Sequence, residues 1–175
     1  MKLKGLITAL CLIIGSQLAT AQIKVAELVK EWERSKAYTK EYLDAMPESS
    51  YDLKPTPAMR SFAEQNLHLA DANYGLASAA LAIKDPFVLG EWEKTRDKSK
   101  AKVTRIVLDS YDFVIGQIKK LSDAQLDEPV KMLGSFDMSR RIALAKAFEH
   151  QVHHRGQTTV YLRLAGVTPP QEKLF

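Results

Sequence analysis

Residues 139–165 read SRRIALAKAFEHQVHHRGQTTVYLRLA. Apolar residues recur at spacings of three and four, the period of one face of an α-helix. Asp137 or Ser139 stands ready to cap the run, and Gly166 and Pro169-Pro170 end it. The same spacing appears three more times upstream. From Lys98 to Leu121 it passes through Val103, Ile106, Val107, Ser110, Phe113, Val114, Gln117 and Ile118. From about Pro57 to Ile83 it carries Met59, Phe62, Leu67, Leu69, Tyr74, Leu76 and Leu81, with Thr56-Pro57 as the expected cap and first turn. Val25, Leu28, Val29, Trp32, Thr39, Tyr42, Leu43 and Met46 form the first stripe, which Pro47 ends. Residues 85–97, with Phe87 and Trp92, read as an irregular connection or a short extra turn. Residues 122–135, with Pro129 and Gly134, read as a long connection. No stretch alternates with period two, and no Asn-Gly or Asp-Gly hairpin signal is present. Four long helices and two long connections predict an all-α, four-helix bundle, which builds ligand sites from inward-facing side chains of different helices.

The N-terminus follows a different pattern. Lys2 and Lys4 precede a mostly apolar run, LITALCLIIGSQL, over residues 6–18, and Ala19-Thr20-Ala21 has the small-x-small form of a signal-peptidase site. The run is shorter than the ~20 residues a membrane-spanning helix needs. Cys11 follows Leu10 inside it, not a small residue as lipid attachment requires. Residues 1–21 are therefore expected to be a cleaved secretory signal peptide. Residues 22–175 form a single domain, exported to the periplasm or secreted, without a stable membrane anchor.

Of 175 residues, 46% are hydrophobic and 26% charged, a composition that excludes disordered and low-complexity classes. Net charge is +4; without Lys2 and Lys4 it is 23 positive against 21 negative, or +2, too weak to argue for nucleic acid or an anionic membrane. Cys11 is the sole cysteine, so the mature chain has no disulfide, thiolate zinc site, catalytic cysteine or c-type haem attachment.

Three of the four histidines lie in one run, His150-Gln151-Val152-His153-His154. His150 and His154 stand one helical turn apart, so their imidazoles can share one ion. At about 100° per residue, Ala143, Ala147, His150, His154, Gln157 and Tyr161 fall within about 80° of one another, and the two alanines leave room beside a metal. His153 lies about 60° to the other side of His150 and is the weaker ligand. His68 stands at matching depth on the second helix. It sits where the apolar arc meets a polar stripe of Glu64, Asp71 and Gly75, facing either the core or the bundle mouth. A His-x3-His pair also arises as a mere surface feature. Leu144, Ala145, Phe148 and Val152 form a second apolar stripe opposite the histidines, to be covered by a second copy of the chain or by the connection that holds Phe87 and Trp92. No Glu stands three residues before a histidine as paired di-iron sites require, and there is no P-loop, Rossmann glycine pattern or nucleophile elbow.

His150-x3-His154-Arg155-Gly156-Gln157, followed by Tyr161-Leu162-Arg163-Leu164-x-Gly166-x2-Pro169-Pro170, resembles the last helix of DinB-like (DinB/YfiT) proteins. Upstream text agrees over essentially the whole mature chain: Tyr42-Leu43-x2-Met46-Pro47-Glu48, Tyr51-Asp52-x-Lys54-Pro55, and Ser61-Phe62-Ala63-Glu64 leading to His68-Leu69-Ala70. The resemblance implies an up-down-down-up four-helix bundle, often a homodimer. It implies a divalent metal, zinc or nickel, on His68, His150 and His154. It also implies a metal-dependent transferase or hydrolase acting on a small molecule, with thiol-dependent enzymes among its relatives. Helix position adds Gln157, Asp71 and Glu64 as supporting or acid/base candidates. The alternative is a non-catalytic exported bundle that binds metal or another ligand.

Overall fold

The computed structural model describes residues 22–175; the expected signal peptide at 1–21 lies outside the described residues. Helical periodicity becomes four helices: α1 Val25–Ala45, α2 Phe62–Leu81, α3 Lys100–Ile118 and α4 Arg140–Leu164. Serines begin three of them. Ser61, Ser99 and Ser139 accept from the backbone N–H groups of Glu64, Lys102 and Ile142, each satisfying a donor the helix itself leaves free. Helix α2 thus starts at Ser61, not at Thr56-Pro57. Glu64 returns its carboxylate to the Ser61 N–H, at 2.8 Å, and the reciprocal pair outcompetes the upstream cap.

Side-chain pairs fix the topology. Trp32 meets Phe148, Ser35 meets Gln151 and Tyr42 meets Thr159, so α1 and α4 run parallel. Phe62 meets Tyr161 and Gln65 meets His154, so α2 and α4 run antiparallel. Asn73 meets Ser110 and Tyr74 meets Phe113, so α2 and α3 run parallel. Lys119 meets Glu33 and Lys100 meets the carbonyls of Asp44 and Met46, so α1 and α3 run antiparallel. The bundle is up-down-down-up. Parallel neighbours α2 and α3 need a connection that travels back along the bundle, and residues 82–99 do this. Phe87 stacks edge-on against Tyr74, 4.7 Å between centroids, and covers an outer face of α2. Helix α2 therefore buries 15 of its 20 residues instead of a single stripe.

The 122–139 connection contains a short antiparallel hairpin, β1 Pro129–Met132 and β2 Phe136–Ser139. Its turn places both Leu133 and Gly134 at positive φ, 49° and 73°. A leucine where Asn or Asp usually stands hides this hairpin from a reading of turn residues. Leu144 and Phe148 of the second stripe are covered within the chain: Leu144 is fully buried and Phe148 packs edge-on against Trp32 of α1 at 5.4 Å. Ala145 and Val152 remain exposed. Among the described residues no helix is long and apolar enough to cross a membrane.

Candidate metal centre

The antiparallel pairing of α2 and α4 brings His68 to His150 and His154, with one potential ligand atom from each lying within 4.8 Å of the others. Ring centroids are 4.3 Å apart for His150 and His154, 4.6 Å for His68 and His154, and 5.5 Å for His68 and His150. Each ring is turned by its surroundings. His68 Nδ1 is 2.5 Å from Glu93 Oε1, which leaves Nε2 toward the cluster. His154 Nδ1 meets the Gln65 carboxamide at 2.7 Å, and its Nε2 lies 3.1 Å from His150 Nε2. His150 Nδ1 is buried without a hydrogen-bond partner.

The protonation states suit a cation. Burial, followed by the neighbouring His150 and His68, depresses His154 to about 3. Burial also lowers His150, with His68 adding to the effect. Both rings are neutral at ordinary pH, the form that offers a lone pair. Nitrogens sharing one tetrahedral zinc stand about 3.3 Å apart, close to the spacing of the His150 and His154 Nε2 atoms. The donor set fits a borderline metal ion.

Of the supporting residues helix position suggested, only Gln157 lies beside the cluster in a hydrogen-bond network with its neighbours. Among the described residues Asp71 makes no hydrogen bond to an imidazole: its carboxylate accepts the backbone N–H groups of Trp92 and Glu93, at 3.1 and 3.0 Å. Burial raises its pKa, and those two N–H bonds and the nearby His68 work against the rise. Asp71 thereby fixes the short 3-10 turn Trp92–Lys94, and the turn delivers Glu93 to His68. Burial pushes Glu93 upward, but hydrogen bonds from His68 and Arg60 outweigh it and leave the carboxyl below its usual range. Glu93 and Gln65 are the supporting residues that the sequence reading missed. Glu93 sits in a stretch without periodicity; Gln65 was legible as the residue one turn before His68. Gln157 lies beside the cluster, joined to Gln65 and, at 2.8 Å, to exposed His153.

Glu64 serves the helix start. Lys98, the Ser61 N–H and Lys54 hold its pKa down to about 2. An unfolded glutamate titrates near 4.5. The stability these bonds contribute is therefore complete above that value and lost as pH falls toward about 2. Urea unfolding should show wild type above Glu64→Gln at about pH 6, with the gap narrowing by about pH 3. A gap independent of pH would refute the ion-pair account.

The model of the DinB family matches residues 19–174. The chain belongs to the DinB family. Its fold is that of solved DinB-like proteins: one from Bacillus cereus ATCC 10987 has TM-score 0.70 at 22% identity, covering 86% of this chain and 98% of that one. YjoA of Bacillus subtilis, an uncharacterised protein, is 21% identical over 144 residues, which are 81% of this chain and 91% of YjoA. Its crystal structure has TM-score 0.63. YfiT of Bacillus subtilis, described as a probable metal-dependent hydrolase with an unusual four-helix bundle topology, has TM-score 0.63 at 17% identity, covering 81% of this DinB chain and 87% of YfiT.

In this DinB bundle the Glu93–His68 contact yields a direct expectation. Glu93→Gln keeps the size but removes the charge that orients and enriches the imidazole. Affinity for zinc should fall about 10–100-fold with the helical circular dichroism unchanged, as read by competition with a chelator. Affinity within about twofold of wild type would remove Glu93 from the site.

Proposed function

We propose that His68, His150 and His154 hold one divalent metal, zinc or nickel, and that the protein is an exported metal-dependent enzyme of hydrolase or transferase type acting on a small molecule. The observation that carries this reading is the convergence of three imidazoles from α2 and α4, with two of them kept neutral by burial. YfiT, a probable metal-dependent hydrolase of the same fold, supports the same class. A metal held by His68, His150 and His154 would supply Lewis acidity, able to polarise a carbonyl or bring the pKa of a water toward about 7.

The chain's own residues prepare this place. Glu93 holds the proton at His68 Nδ1, so the Nε2 lone pair faces the cluster. Gln65 can serve either tautomer of His154, because turning the carboxamide end for end exchanges Nε2 for Oε1 at the ring nitrogen. Beside the cluster an opening of about 450 Å³ is lined by Met59, Arg60, Gln65, Gln157 and Tyr161, room for a small molecule with a polar group. The reading also includes a homodimer in the periplasm or outside the cell, with thiol co-substrates among those to screen.

The test is elemental analysis of the untagged protein followed by turnover assays on activated esters, amides and thiol–electrophile pairs. About one equivalent of zinc or nickel, with a turnover that a chelator abolishes and the metal restores, is expected. Metal retained without turnover of any of these would make the protein a binder. No metal, and no uptake on adding either ion, would overturn the proposal.

A further inference from the structure

Helix α4 carries a second polar constellation, on the face turned away from the histidines. At about 100° per residue, Val152, Gly156, Thr159 and Arg163 centre some 180° from the His150–His154 stripe, with Arg155 at the margin of that face. They line a cavity of about 600 Å³ between α4, α1 and the C-terminal tail. The tail is tied down as its wall: Arg34 donates to the Lys173 carbonyl, and Lys173 pairs with Glu41. Pro169 and Pro170 stiffen the segment that faces Tyr38 and Tyr42.

Arg155 lines this cavity although it is only 7% exposed. Its hydrogen bonds leave from one nitrogen. Nη1 donates to Ser35 Oγ at 2.6 Å, to Gln151 Oε1 at 3.0 Å and to Thr39 Oγ1 at 3.3 Å, with the Ser35 carbonyl at 3.5 Å. The guanidinium plane lies over Tyr38, 4.6 Å from the ring centroid. The Nε–Nη2 edge makes no hydrogen bond among the described residues. Among the described residues every acceptor Arg155 meets is neutral, so within them a nearly buried cation stands without an ion pair. Such burial is costly unless an anion compensates it. Arg163 adds a second cation at the rim, and the only carboxylate among the described lining residues, Glu172, pairs with neither arginine.

We propose that this cavity binds a small organic carboxylate. Its two oxygens lie side-on against the Nε–Nη2 edge of Arg155, and its apolar body rests between Tyr38, Tyr42 and the proline wall. The planar guanidinium edge matches a carboxylate in two parallel hydrogen bonds. The aromatic and proline walls favour a monocarboxylate with an apolar body over inorganic phosphate. The site does not rest on the metal reading, because none of the three clustered histidines lines it.

Calorimetric titration of the purified protein with phenylacetate tests this, beside its neutral counterpart phenylacetamide and with or without a chelator. Saturable binding of phenylacetate on the order of 1 mM or tighter, unchanged by the chelator and absent for the amide, is expected. Arg155→Met should abolish it. That variant disturbs a buried network, so Gly156→Leu provides the decisive second arm: a Cβ at Gly156 meets nothing within 4 Å, and leucine both favours the helix and fills the cavity. Gly156→Leu should retain the wild-type thermal transition and weaken binding at least about tenfold, and Arg163→Gln should weaken it less. No saturable binding, equal binding of the amide, loss on chelation or undiminished binding by Gly156→Leu would each overturn the proposal.

Discussion

If the three imidazoles hold a metal as proposed, replacing His154 with alanine is expected to abolish its binding. His154 is the central ring of the cluster, 8% exposed, 4.3 Å by centroid from His150 and 4.6 Å from His68. A four-coordinate zinc site worth about 10–16 kcal/mol assigns about 2.5–4 kcal/mol to each ligand, so affinity should fall on the order of 10²–10³-fold. Elemental analysis after dialysis would show the metal lost from His154→Ala and kept by His153→Ala. His153 is exposed and its Nε2 is engaged by Gln157, so it serves as the internal control. Acidity gives a second readout. An imidazole already depressed to about 3 has no proton to expel near pH 6, so protons should not compete with a metal for His154 itself there, as they would for an ordinary histidine. The sign for the metal-free protein is opposite: the unfolded chain takes up protons near 6.5 that the folded bundle refuses, so stability falls as pH drops below that value. Equal metal content in wild type and His154→Ala would place the ion elsewhere.

The parts of this centre were not equally legible. His150 and His154 are joined by helical geometry alone, since four residues make one turn and the i,i+4 spacing carries the contact. His68 required depth along a second helix as well as angle, and angle left its facing open; the antiparallel pairing of α2 with α4 brings it to the other two. Glu93 was invisible because its position depends on a tertiary clamp, the Asp71 carboxylate on two backbone N–H groups across 21 and 22 residues. Helix position alone made Asp71 a supporting or acid/base candidate; its oxygens hold the loop that carries Glu93 to His68, a part that position on the helix does not specify. Glu64 was a case of local chemistry outranking helix position. A Ser-x-x-Glu pair at a helix start is a capping signal, and read as one it would have moved the start of α2 from Pro57 to Phe62. Periodicity located the helices, but it carries nothing about which neighbours run parallel; that followed from cross-helix pairs such as Trp32 with Phe148.

That pair also carries the largest expected loss of stability, in Trp32→Ala. Trp32 is fully buried and bridges two helices, edge-on to Tyr111 of α3 at 5.8 Å and to Phe148 of α4 at 5.4 Å. Removing the indole leaves a cavity that three helices cannot close without losing the α1–α4 register. The expected cost is about 3–5 kcal/mol, which lowers the thermal midpoint by roughly 6–20 °C. Trp32→Phe separates packing from polarity. The indole Nε1 is buried without a hydrogen-bond partner, so phenylalanine removes an unsatisfied donor together with part of the volume. Its loss should be less than half that of Trp32→Ala. A loss as large as that of alanine would show that Nε1 has a partner or that the second ring is indispensable. The consequence reaches the centre through α4, because Phe148 lies two residues before His150. With His150 less firmly placed, Trp32→Ala protein that still folds at low temperature should hold zinc more weakly than wild type, although α1 supplies no ligand. Unchanged zinc affinity in that variant would show that α2 and α4 set the imidazole spacing without the brace of α1.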